Sequence, residues 1–201
     1  MVTKQRNIQP ENYYHVYNRA VNKNNLFITE EDYYGWQRKV YELQDITKVI
    51  ILAWAYLPNH YHYLLKEPNI DIVEGCKFRG SAQSSISQFI SRLENSYTKY
   101  FSMKYDHSGV IFQGQYKSIL IDSDDYLQYL IYYINLNPIK HNIVSNINDW
   151  TATSHHDYLD YSKNKIISSD DLINFNLYKK NHIQYVKNYQ SLENKVLKYL
   201  P

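Results

Sequence analysis

The sequence predicts an α+β protein: a ferredoxin-like (RRM-like) antiparallel sheet with helices on one face, plus a helical C-terminal extension. Three observations predict it. The segments run strand, helix, strand, strand, helix, strand, helix, the order of that sheet type. Two β-forming runs meet at Pro58-Asn59, a hairpin signal. Two long stretches carry apolar residues at helical spacing on one side only.

The elements come in order along the chain. "YYHVYNRA", Tyr13 to Ala20, alternates and is rich in β-formers, so it reads as a strand. "TEEDYYGWQRKVYELQ" reads as a helix. Thr29 is its N-cap, acids fill its first turn, and Trp36, Val40 and Leu43 mark its apolar side. "VIILAWAYL" is a nearly continuous apolar strand, and "HYHYLLK" returns as its hairpin partner. Gly75 to Ser81 reads as a loop. "SSISQFISRLENSYTKYFSMK" reads as an amphipathic helix with Ile86, Phe89, Ile90, Leu93 and Tyr97 on one side. A loop around Asp106 to Gly109 leads to the strand "QYKSILID". "DSDDYLQYLIYYINLNP" is a helix with acids at its start, ended by Pro138, which pushes the preceding residue out of the α region. Beyond Asn148 the chain turns polar, then suggests one or two helices. The division is therefore a main domain over 1–148 and an extension over 149–201 packed on it.

Composition bounds the function. The 201 residues suffice for one full core. A net charge of +2 makes bulk charge a weak pointer to nucleic acid. The single cysteine, Cys76, excludes an internal disulfide and a multi-thiolate zinc site, and suits a reducing cytosol. The start "MVTKQRN" has no apolar signal core, and the longest apolar run, Val49 to Leu57, is far short of the roughly 20 residues of a membrane helix. The expectation is a cytoplasmic protein with no membrane partner. Tyrosine, with 23 copies, suits both core packing and stacking on bases.

"LPNHYHYLL", Leu57 to Leu65, puts two histidines one residue apart in an apolar strand. Residues i and i+2 share a face, so His60 and His62 point the same way with α-carbons about 6.6 Å apart. Two imidazoles so placed can converge on a cation. Taken alone they are equally two half-exposed hairpin side chains. Histidine with an oxygen ligand suits Mg²⁺ or Mn²⁺, with zinc still open, and the third ligand must come from elsewhere. Tyr61 and Tyr63 point to the opposite face, toward the helices. On the later helix, Tyr129, Tyr133 and Asn137 recur every four residues, so a phenol and an amide share one side.

Leu57 to Leu65, joined further along the chain by "YINLNP", Tyr133 to Pro138, resembles the single-tyrosine HUH transposases, and within them the REP-associated tyrosine transposase group. The HUH motif (histidine, bulky apolar residue, histidine) is here His60, Tyr61, His62. "HVYNRA" is similar to the group's first strand and "GVIFQGQYKSILID" to the segment before its catalytic helix. "NPIKHNIV" and "DWTATSHHDYL" are similar to the segments after that helix. The resemblance spans about residues 10 to 160. Three positions depart from it: Leu57 stands where Met is frequent, Tyr61 where an aliphatic residue is usual, and Gln115 where a basic residue is common.

The resemblance implies the HUH endonuclease version of the fold and a transposase that nicks and rejoins single-stranded, hairpin-bearing DNA. His60 and His62 would bind a divalent metal, Mg²⁺ or Mn²⁺, and Asn137 would add a polar ligand. Tyr133 would be the nucleophile, leaving a 5′-phosphotyrosine and a free 3′-OH. Arg79, Lys99, Lys104, Lys117 and Lys140 are candidate DNA-backbone contacts. A nucleoid-associated monomer or homodimer is expected. Three rivals share parts of the pattern: a rolling-circle-type HUH nickase, a non-catalytic nucleic-acid-binding module on the same fold, and a zinc hydrolase. The last needs a water-activating acid, for which Glu67 is the nearest carboxylate in the chain.

Overall fold

The structure is a computed structural model that describes residues 8–69, 84–160, 166–168, 170 and 173–188. The loop expected at Gly75 to Ser81, with Cys76 and Arg79, lies outside the described residues. Four strands form one sheet: β1 (Tyr13–Arg19), β2 (Ile50–Leu57), β3 (His60–Lys66) and β4 (Lys117–Ile121). Their spatial order is β2-β3-β1-β4 and every pairing is antiparallel. That is the ferredoxin-like arrangement, with the two central strands far apart in sequence.

Helices α1 (Glu30–Thr47) and α2 (Ser85–Tyr105) cover one face. Their apolar stripes, Trp36, Val40, Leu43, Phe89, Ile90 and Leu93, meet Tyr14, Val16, Tyr61, Tyr63 and Leu65 from the sheet. The Trp36 indole donates to the Tyr63 hydroxyl at 2.9 Å, and Tyr63 donates to Tyr56 at 3.1 Å, so the core tyrosines keep their polar ends paired. Helix α1 starts at Thr29, the N-cap its sequence predicts, and α2 is capped as well. Asp32 in the first turn of α1 accepts from the Thr29 and Ile28 amides at 2.9 and 2.8 Å. Ser84 accepts from the Ser87 amide at 3.1 Å at the start of α2.

Helix α3 (Asp124–Asn135) lies on the other face, which the order of elements alone leaves open. Leu127, Leu130, Ile131 and Ile134 pack on Leu52, Ala55, Leu57 and Leu64. The reason is visible in β2: its run is apolar on both sides, as in strands covered on both faces. The α3 helix breaks at Leu136 and resumes as one turn, α4 (Asn137–Lys140), with Pro138 in its first turn, where its missing N–H costs nothing. After it come α5 (His155–Tyr158) and α6 (Phe175–Lys187). Residues 152–154 run along the outer edge of β2. The Tyr56 amide donates to Ala152 and the Ser154 amide to Trp54, both at 2.9 Å. No described helix is long and apolar enough to cross a membrane.

Candidate active site

The α3-covered face is only partly closed. Where α3 ends, the sheet opens into a cleft of about 400 Å³. Register decides what faces it. Arg19 pairs with His60, Tyr17 with His62 and His15 with Leu64, so His15, Tyr17 and Arg19 share the face of the two HUH histidines.

His60 and His62 stand edge to face with ring centroids 5.1 Å apart. The His60 Nδ1–H donates to Asn59 Oδ1 at 2.6 Å, which leaves Nε2 with its lone pair. His62 Nδ1 shares a 3.0 Å hydrogen bond with His15 Nε2. Burial holds His60 and His15 each down at about 3, with the nearby His141, Lys140 and Arg19 charges adding at His60. Burial, then the neighbouring His60, His15 and His141, also holds His62 well below its ordinary value. All three imidazoles are therefore neutral at physiological pH, the state a metal ligand requires.

Tyr133 meets this group from α3. It is 5% exposed, and its ring lies edge-on to His62 and His15 with centroids 6.1 and 6.3 Å apart. Lys140, one helical turn past the break, donates from Nζ to the Tyr133 hydroxyl at 3.2 Å and sits 4.8 Å from its ring centroid. The neighbouring tyrosines of α3 point elsewhere. Tyr132 donates to the Leu177 carbonyl and stacks on Tyr178, and Tyr129 faces Tyr185.

Asn137 is fully buried and does not line the cleft. Its amide donates to the Tyr133 carbonyl at 2.8 Å, while its Oδ1 is buried without a partner among the described residues. An orphaned buried oxygen is costly, and an amide oxygen is of the donor type that a hard cation accepts. Among the described residues no three His, Cys, Asp or Glu side chains form a metal cage. Glu67 is engaged elsewhere: its carboxylate accepts from the Ser85 and Ile86 amides at the start of α2, at 2.6 and 2.9 Å.

The expected DNA contacts separate. Lys117 and Lys140 lie on the histidine face. Lys104 is on α2, over the opposite face, ion-paired to Asp32 and Glu31 at 2.8 Å each. Lys99 is exposed on the same helix. Arg79 lies outside the described residues. Sequence motifs alone do not mark His15, Tyr17, Arg19, Asn59 and His141 as site residues. His141 stacks edge-on against His60 at 4.9 Å. The only signal for the first three is their shared parity in "HVYNRA", which becomes a face once the pairing of β1 with β3 is known.

The four-stranded ferredoxin-like sheet thus sets a His-Tyr-His strand opposite a tyrosine on a helix. Among solved structures, the chain is similar to a REP-associated tyrosine transposase bound to a REP hairpin. The TM-score is 0.57 at 18% identity, over 87% of this chain and 94% of that one. That likeness establishes the fold, and the neighbour belongs to the group the sequence motifs resemble. A transposase candidate from Deinococcus radiodurans R1 aligns at a TM-score of 0.40 and 14% identity, over 66% of this chain and 95% of that one. No protein-family model and no curated protein matches the chain.

Proposed function

We propose that this protein is a metal-dependent transposase that nicks and rejoins single-stranded DNA bearing a hairpin, by way of a covalent Tyr133–DNA intermediate. One observation carries the reading: of the tyrosines on α3, Tyr133 faces the paired histidines and carries a cation on its hydroxyl. The hairpin ligand of the structural neighbour supports the same substrate class.

The groups present support the following chemistry. The Tyr133 oxygen attacks the scissile phosphorus and loses its proton as the P–O bond forms. The Lys140 ammonium stabilises the phenolate charge that develops. The bond from phosphorus to the 3′ oxygen breaks, and that oxygen takes up a proton to become a free 3′-OH. The 5′-phosphotyrosine keeps the bond energy, so another 3′-OH can reverse the step. His60 and His62, with Asn137, would hold Mg²⁺ or Mn²⁺, which when bound supplies charge neutralisation at the phosphate oxygens. His15 and Asn59 orient the two imidazoles from behind.

The test is a denaturing gel of protein incubated with Mn²⁺ and hairpin-bearing single-stranded DNA. A protein–DNA adduct is expected with the natural chain, and none with EDTA or with Tyr133→Phe. An adduct retained by Tyr133→Phe overturns the assignment of the nucleophile.

A further inference from the structure

We propose that the end of β1 and the turn before β4 form a base-reading nucleotide subsite beside the scissile phosphate, a deeper statement of the function proposed above that rests on it. A second hollow of about 240 Å³ shares Tyr17, Asn18 and Arg19 with the main cleft, so the two form one groove. Register makes the path explicit. His62, Tyr17 and Lys117 lie in a single row across β3, β1 and β4. A strand held at the histidines therefore continues over Tyr17 toward Lys117.

The lining suits one nucleotide of an anionic polymer. Arg19 and Lys117 supply positive charge here, and Lys23 and Lys140 supply it in the main cleft. Among the described residues no Asp or Glu lines either hollow. The half-buried Tyr17 ring gives a base a face to stack on, with Lys117 Nζ 5.8 Å from its centroid. Gln113 and Gln115 are exposed on the turn. A carboxamide offers a donor and an acceptor side by side, the pattern that distinguishes one base edge from another. Cations on a phosphate carry no such information.

The turn is built to hold those amides in place. Asn18, buried, spends its whole amide on the scaffold. It donates to Glu94 at 2.8 Å and to the Gly114 carbonyl at 3.2 Å, and accepts from the Arg19 amide at 2.9 Å. Gly114 adopts φ +70°, a conformation that favours glycine, between the two glutamines. The Gln113 amide donates to the Arg19 carbonyl at 2.8 Å, and the Arg19 guanidinium donates to the Gln113 side chain. A base whose face stacks on the Tyr17 ring has left a duplex stack, so the ligand is single-stranded.

The probe is a pool of hairpin oligonucleotides with a randomised single-stranded flank. Tyr133→Phe protein selects bound molecules for sequencing, while the natural chain forms adducts from the same pool. One flank position is expected to show about a tenfold preference for one base, falling below about twofold in Gln113→Ala/Gln115→Ala. Lys117→Ala should weaken binding for all bases alike. A preference that the double glutamine variant retains, or no preference at all, overturns the subsite. Adducts without a glutamine-dependent preference sink the subsite and leave the nicking reading standing. A glutamine-dependent preference without adducts does the reverse.

Discussion

At the scale of single residues, the proposed nicking depends on what surrounds Tyr133 more than on the tyrosine itself. A phenol ordinarily titrates near ~10, so attack near neutrality needs the developing negative charge to be stabilised. Lys140 is placed to do that, 3.2 Å from the hydroxyl, which makes it more than a backbone contact. Lys140→Met should therefore slow single-turnover adduct formation by about 10²-fold, the size of effect seen when one charge-stabilising donor is removed. Lys140→Arg should recover part of it. Quenched-flow sampling of the adduct measures both, and an unchanged rate in Lys140→Met removes Lys140 from the mechanism. The histidine pair is legible in the sequence because a period of two is a local property. His15 and Arg19 are not, because their place beside His62 and His60 depends on a strand pairing that joins distant segments.

At the scale of elements, the strands and the long helices are readable from periodicity, and their caps from residue type. What escapes is where α3 lies. Its stripe of Leu127, Leu130, Ile131 and Ile134 announces a helix with an apolar side, but not which surface that side covers. The doubly apolar β2 run holds the answer. Helix α2 shows a second non-local device. Its first amides are satisfied by Ser84 and also by Glu67, a fully buried carboxylate at the end of the hairpin. Burial raises the Glu67 pKa while those backbone hydrogen bonds pull it down, and they compensate the buried charge. Glu67→Ala should cost about 2–3 kcal/mol, since two charge-assisted hydrogen bonds disappear and two backbone donors lose their partner. Urea unfolding of the variant against the natural chain measures it. A loss under about 0.5 kcal/mol, the range of a neutral surface change, would show that other groups satisfy the helix end.

At the scale of the whole molecule, the chain after Asn148 bears on the stability of the sheet. His155 is fully buried, with Nδ1 hydrogen-bonded to Tyr178 at 2.8 Å and Nε2 to Asn148 at 3.2 Å, and burial first, then the His182 and His156 charges, holds it at about 3. Its folded value lies below the ordinary 6.5, so the unfolded chain binds more protons between the two. The neutral ring's contribution is complete above about pH 6.5 and is lost as pH falls toward about 3, by up to about 1.4 kcal/mol per unit. His155→Gln should then lose less stability than the natural chain between about pH 7 and about pH 5, as read by thermal melting; equal losses would discard this coupling. The same segment does more than carry a histidine. Residues 152–154 hydrogen-bond along the outer edge of β2, and fully buried Tyr158 donates to the Leu52 carbonyl at 2.7 Å. The Trp54 indole donates to Asp157 at 3.3 Å. A chain ending at Asn148 would strip these partners from β2. It would expose the apolar surface where Tyr158 and Tyr178 complete the α3 core and leave an unpaired strand edge, a template for aggregation. Residues 1–148 expressed alone should therefore be insoluble or bind a hydrophobic dye, with the cooperative melting transition lost. A soluble, cooperatively melting 1–148 fragment that still forms the Tyr133 adduct would show that the sheet needs no cover on that edge.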